Sequence, residues 1–192
     1  MRTAGVVAVQ GDVAEHAAAI SRAADRHDEV VEVTEIRTAG VVPDCDLLLL
    51  PGGESTTISH LLAEAGIDEE IRAFVRSGKP MLATCAGLIV ASRDAKDDRV
   101  ATLDVIDVTV DRNAFGRQAD SFEADLTVTG LDRPFPAVFI RAPLIDEVGD
   151  RVETLATVDD RSVAVRQGNV VGTSFHPELT DDSRLHGLAF FR

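Results

Sequence analysis

Hydrophobic positions in the first half of the chain fall in short saturated runs separated by amphipathic stretches. Thr3–Val9 is almost continuously apolar, the pattern of a strand buried on both faces. Gln10-Gly11 breaks the run, and Asp12 stands three residues before Glu15, the spacing of a capping box for a helix reaching about Asp25. Val30–Val33 reads as a second strand and Leu47–Leu50 as a third, which stops at Pro51-Gly52-Gly53. Ile58–Leu62 and Ile67–Val75 carry helical spacing up to Gly78-Lys79-Pro80. Met81–Thr84 is a fourth buried strand, after which Ala86–Ser92 resumes a helical pattern.

This alternation predicts a mostly parallel sheet with helices on both faces. The second half changes character: Val105–Val110, Ala137–Ile140, Val152–Val158, Ser162–Arg166 and Val170–Thr173 follow one another closely. Gly168-Asn169 suits a hairpin turn, so antiparallel additions to the sheet are expected there, with a final helix over about Asp182 to Phe191. Ligands of open α/β sheets bind beyond the carboxyl ends of the strands. That rule selects Gln10-Gly11, Pro51–Thr57 and the segment around Cys85.

Composition narrows the setting. The 192 residues fit one domain spanning 1–192, and 45% hydrophobic residues suffice for its core. With 4% aromatics and neither Trp nor Tyr, that core must be mainly Val, Leu, Ile and Ala. The first twenty residues lack a basic segment followed by a long apolar run, so no leader is expected, and no stretch approaches a membrane span. Cys45 and Cys85 have no metal-ligand spacing, which fits a reducing, cytoplasmic setting. Acidic residues number 33 against 19 Lys and Arg, for a net charge of −14, and Lys79 and Lys96 are the two lysines. Such a charge disfavours nucleic acid, whose phosphates need a basic footprint. Acidic excess with Lys depletion is the pattern of a salt-adapted protein.

Three segments and two arginines carry candidate chemistry. Cys85, in Met81-Leu82-Ala83-Thr84-Cys85-Ala86-Gly87-Leu88, follows an apolar strand and sits among small residues. That suits a sharp strand-to-helix turn presenting a nucleophile, with the following helix favouring the thiolate; a buried core cysteine is the alternative. His176-Pro177-Glu178 follows the last strand, and its spacing lets the Glu orient the imidazole while the His accepts a proton, unless the segment is an ordinary surface turn. Pro51–Thr57 either ends a strand with Ser55 or Thr56 capping the next helix, or presents glycine N–H groups to an oxyanion. It lacks the Gly-Lys-Ser/Thr of a phosphate loop. Arg112 and Arg141 lie beside apolar runs, in solvated salt bridges or facing a substrate carboxylate.

Taken together these residues resemble a known family. Gly5–Gly11, Pro51–Thr57, Thr84–Ile89, Arg112–Gln118 with Ser121-Phe122-Glu123, Phe139–Pro143 and His176–Thr180 are similar, in order and over nearly the whole chain, to the glutaminase subunits of pyridoxal 5′-phosphate synthase. The Cys and the His-x-Glu are shared by all class I glutamine amidotransferases, whereas the Pro-Gly-Gly-Glu-Ser-Thr-Thr, Arg-Asn-Ala-Phe-Gly-Arg-Gln and His-Pro-Glu-Leu-Thr strings are more specific. The resemblance implies a flavodoxin-like three-layer α/β fold with a mostly parallel mixed sheet. It implies Cys85 as nucleophile, His176 as base and then acid, and Glu178 as its orienter. Gly52, Gly53, Glu54, Arg112, Ile140 and Arg141 would hold L-glutamine, and no metal or cofactor is implied. The ammonia would pass to a barrel-shaped synthase that makes pyridoxal 5′-phosphate, and synthase binding would switch the glutaminase on. Ala83, where the family usually has Gly, and the acidic segment Arg93–Arg99 depart from the pattern and read as peripheral.

Three rivals stay open on sequence: a glutaminase of another biosynthetic pathway, a related α/β cysteine hydrolase or stress-response protein, and a non-enzymatic interaction module. The charge makes its own prediction. Self-repulsion at −14 is screened by molar salt, where the Debye length falls to about 3 Å. Melting temperature and activity should therefore rise from low salt to about 1 M; a flat or falling response would count against salt adaptation.

Overall fold

The computed structural model describes residues 1–112 and 121–191. Seven strands form the main sheet: β1 (Arg2–Val7), β2 (Val31–Ile36), β3 (Leu47–Leu50), β4 (Met81–Thr84), β10 (Glu153–Val158), β11 (Arg161–Gln167) and β12 (Val170–Thr173), in the order β10-β11-β12-β4-β3-β1-β2. The five strands from β2 to β12 are parallel, with β12 beside β4. Their order is the flavodoxin-like one, so the expected fold class holds. β11 and β10 extend the sheet antiparallel, as the Gly168-Asn169 turn foretold.

The saturated runs explain the layering. In β3, Leu48 and Leu50 join one hydrophobic cluster and Leu47 and Leu49 the other, and all four are fully buried. Each such side chain contributes about 1.5–3 kcal/mol of burial. Met81 and Ala83 of β4 point to the first face and Leu82 to the second. The first face is covered by α2 (Ser55–Glu64), α3 (Ile67–Arg76) and α4 (Ala86–Ala91), through Ile58, Leu62, Ile71, Phe74 and Leu88. The second is covered by α1 (Val13–Arg26) and α5 (Arg184–Phe190), through Ile20, Leu185 and Phe190.

Several expectations need correction. The second strand starts and ends later, and the last helix is shorter than the pattern indicated. Ser92 does not continue α4 but opens a short strand, β5 (Ser92–Asp94). The apolar runs at 105–110 and 137–140 become β6 (Ile106–Asp111) and β8 (Phe135–Phe139), and neither joins the main sheet. β6 pairs with β5 and β9 (Leu144–Val148) in a small sheet on the first face. β8 pairs with β7 (Phe122–Leu126) in a ribbon on the second. The runs were legible as strands, but their partners were not, because neighbouring hydrophobic patterns do not specify which edge pairs with which. No helix among the described residues is long and apolar enough to cross a membrane.

Candidate active site

The carboxyl ends of β1, β3, β4 and β12 bring the selected segments together. Cys85 follows β4 directly with φ 48 and ψ −109, a conformation that non-glycine residues rarely adopt. The turn is held on one side by the Cys85 N–H, which donates to the Thr173 carbonyl at 2.8 Å. On the other side Gly87 lies against the Leu50 carbonyl, where a Cβ would collide. A strained residue pinned between two strand ends, with small neighbours, is the strand-to-helix elbow that the sequence implied.

His176 and Glu178 come from the segment after β12. The His176 N–H donates to the Val138 carbonyl at 2.9 Å, tying this segment to β8, and Pro177–Leu179 forms a single 3-10 turn. That turn points both side chains inward, with His176 Nδ1 2.6 Å from Glu178 Oε1 and both residues buried. Cys85 lies near enough to His176 to act on its charge. Burial would lower the His176 pKa, but hydrogen bonds and charge attraction to Cys85 and Glu178 outweigh it and raise it to about 10. Glu178 is shifted upward, chiefly by burial, with its contact to His176 pulling the other way. His176 thus stands between the Cys85 turn and the Glu178 carboxylate, an arrangement in which a carboxylate can orient an imidazole beside a thiol.

The glycine loop closes the site from β3. A Cβ on Gly52 would come 2.7 Å from His176 Cε1 and 3.1 Å from Asp12 Oδ2, and one on Gly53 (φ 155) would strike Gln10 Oε1. The same Gln10 oxygen accepts from the Glu54 N–H at 2.8 Å. Glu54, rather than Ser55 or Thr56, caps α2, accepting from the Thr56 and Thr57 N–H groups and hydroxyls. Partial burial opposes ionisation, yet these bonds draw the Glu54 pKa down to about 2. The carboxylate is engaged again by Arg112 Nη2 at 2.9 Å.

The remaining sites fall at different distances from this centre. Arg112 Nη1 is 3.4 Å from Asp97, so the acidic segment read as peripheral supplies a partner to Arg112. Ala83, also read as peripheral, packs its methyl into the first-face core. Ile140 and Arg141 follow β8, both solvent-exposed, Arg141 at φ 44. Residues 113–120, most of the Arg-Asn-Ala-Phe-Gly-Arg-Gln string, lie outside the described residues.

Two residues at the site escaped the sequence reading. Asp12 is the N-cap residue of α1, but its side chain makes no capping hydrogen bond; its Oδ2 lies 3.5 Å from His176 Nδ1, and burial, more than Glu15, raises its pKa against the pull of His176. The helical pattern marked Asp12 as a cap, and only the fold shows β12 ending beside it. His16 is fully buried behind Glu178. A signal existed, since His16 shares the inward stripe of α1 with Ala19, Ile20 and Ala23.

The model of the SNO glutamine amidotransferase family matches residues 6–191. The pyridoxal 5′-phosphate synthase subunit PdxT of Natronomonas pharaonis is 81% identical over 191 residues, covering 100% of both chains. That of Methanothrix thermoacetophila is 50% identical over 188 residues and covers 98% of each chain. A solved structure described as a glutamine amidotransferase superposes with a TM-score of 0.88 at 44% identity, covering 97% of this chain and 96% of its own. A chain of PurLQS from Thermotoga maritima, at TM-score 0.62 and 20% identity over 93% of this chain and 89% of its own, shares the fold.

The geometry sets a titration. Because Cys85 is among the groups that raise His176, its ring should stay protonated well above pH 8 and titrate near 10 in the free protein. Cys85→Ala should lower that midpoint. The protonated ring contributes stability that is full below its unfolded value of about 6.5 and is lost as pH rises through the folded value. Imidazole NMR signals followed against pH check this; a wild-type midpoint near 6.5 would contradict the described contact.

Proposed function

The chain belongs to the SNO glutamine amidotransferase family, and from that premise we propose that Cys85, His176 and Glu178 hydrolyse L-glutamine so that its ammonia can feed pyridoxal 5′-phosphate synthesis. It is the glutaminase subunit of that synthase and works in a complex with the synthase subunit. The observation that carries the assignment of roles is the strained turn at Cys85 beside His176, itself 2.6 Å from Glu178.

In this reading His176 already holds the proton given up by Cys85, whose Sγ attacks the side-chain amide carbon of glutamine. The oxyanion is met by backbone N–H groups of the elbow and of the Gly52-Gly53 loop. Collapse of the tetrahedral intermediate breaks the C–N bond, and His176 returns its proton to the departing ammonia. Water, deprotonated by the same imidazole, then cleaves the thioester to glutamate and regenerates the thiol. Glu178 fixes the ring and stabilises its positive state. Gly52, Gly53, Glu54, Arg112, Ile140 and Arg141 are assigned to glutamine; Arg112, held by Glu54 and Asp97, would reach the substrate as part of that cluster.

The synthase that receives the ammonia is proposed to be barrel-shaped and to dock near the β1 and β3 loops. There Gly11, Gly52 and Gly53 touch, and the Asp12 N–H donates to the Gly52 carbonyl at 3.3 Å. Docking would set the Gly52-Gly53 peptide, and loss of one oxyanion donor costs about 10²–10³ in rate, enough to silence the free subunit. The work is placed in the cytoplasm, where reducing conditions keep a free thiol available; Cys45 and Cys85 are both free.

Glutamate release is to be measured across a titration with the synthase subunit. Cys85→Ala should abolish it while leaving the fold and synthase binding intact, His176→Ala should be nearly as damaging, and Glu178→Gln should retain more activity. Normal hydrolysis by Cys85→Ala would end this mechanism.

A further inference from the structure

Behind the three residues assigned to chemistry lies a fourth polar side chain with no solvent contact. His16 projects from the first turns of α1, and its Nε2 is 3.0 Å from Thr84 Oγ1 and 3.5 Å from Glu178 Oε2. Glu178 uses Oε1 for His176, while Oε2 is buried with no hydrogen-bond partner and His16 Nε2 stands 3.5 Å from it. Thr84 immediately precedes Cys85. His16 therefore touches the orienting carboxylate and the strand end that carries the nucleophile.

The tautomer follows from the surroundings. The ring is neutral, because burial, His186 and His176 all oppose a proton there. If Nε2 were the bare nitrogen, its lone pair would face a carboxylate oxygen and a buried Nδ1–H would have no acceptor, since Nδ1 has no hydrogen-bond partner. With the proton on Nε2, Thr84 Oγ1 can accept it, the Glu178 oxygen 3.5 Å away is met by a donor, and only a lone pair on Nδ1 goes unused. An unused buried acceptor is better tolerated than an unused buried donor. Nε2–H thus points between Thr84 and Glu178.

We propose that His16 is a positioning residue of the hydrolysis: its Nε2–H anchors the second oxygen of Glu178, so that the first oxygen stays on His176 Nδ1, and ties that carboxylate through Thr84 to the Cys85 elbow. The inference rests on the glutaminase reading above. A carboxylate held at one oxygen can swing about its Cγ–Cδ bond, whereas one held at both cannot. His16 acts through Glu178 and never meets the substrate.

The groups facing this pair are Thr84 on β4, His176 and Asp12 beside Glu178, and His186 on α5, whose ring centroid is 5.9 Å from that of His16. Removing the His16 donor weakens the charged form of Glu178, whose pKa burial already raises. The ionised orienter is then lost at a higher pH as acid is added.

The test uses His16→Leu, which fills the cavity without a donor, in the full complex with the synthase subunit. Glutamate release is measured against pH alongside Glu178→Gln and the double variant. Expected are a fall in kcat of about tenfold, a KM within about twofold, and an acid limb of kcat/KM moved to higher pH. The double variant should be no slower than Glu178→Gln within about twofold, because the two act as one unit. Wild-type kcat with an unmoved limb, or a loss that adds to that of Glu178→Gln, would overturn the proposal. Should His16→Leu fail to fold, His16→Asn, whose shorter amide falls short of Glu178, is judged by the same limb and double-variant comparison. A wild-type complex that releases no glutamate would instead overturn the glutaminase reading, before any variant is compared.

Discussion

The hydrogen bond between His176 and Glu178 is the constraint on which the rest of the site depends. Its two partners lie two residues apart, are joined at 2.6 Å, and are almost wholly removed from water. A carboxylate in that position is tolerated only when paired, and stripping a buried ion pair of one partner costs roughly 3–5 kcal/mol. The segment after β12 must therefore present both side chains to the same interior point. The single 3-10 turn at Pro177–Leu179 and the anchor of His176 to the Val138 carbonyl do so.

The same economy of space shapes the strand ends around the pair. Gly52 leaves room for the His176 ring, Gly53 for the Gln10 side chain, and Gly87 for the carbonyl that ends β3. These three glycines are needed for close approach, because each replaces a Cβ that would meet an atom of the site or its frame. The strain of Cys85 is held by the parallel pairing of β4 with β3 and β12, so the main sheet fixes the angle at which the sulfur is offered. Function lives at one end of the sheet, and the two hydrophobic layers hold that end in register.

Much of this was legible in the chain. The four consecutive leucines of β3 and the small-residue turn after Thr84 specify a doubly covered parallel sheet and an elbow, because each depends on local sequence alone. What escaped depends on tertiary neighbours. Asp12 has the spacing of a helix cap, and its actual neighbour His176 is far away in sequence. Glu54 took the capping role expected of Ser55 or Thr56, because the Arg112 guanidinium and two threonines favour its carboxylate there. β6 and β8 read as strands from their alternation, but nothing local says that they leave the main sheet.

Cys85, 8% exposed at the strained turn, is the proposed nucleophile, whereas Cys45 is 1% exposed, with its thiol donating to the Val41 carbonyl and its pKa raised chiefly by burial. The most direct measurement is covalent labelling of the complex with a glutamine-analogue electrophile, followed by peptide mass spectrometry. One adduct per chain, on Cys85, appearing in step with loss of glutamate release and blocked by excess glutamine, is the predicted result. Labelling of Cys45 instead, or loss of activity with Cys85 unmodified, would contradict it.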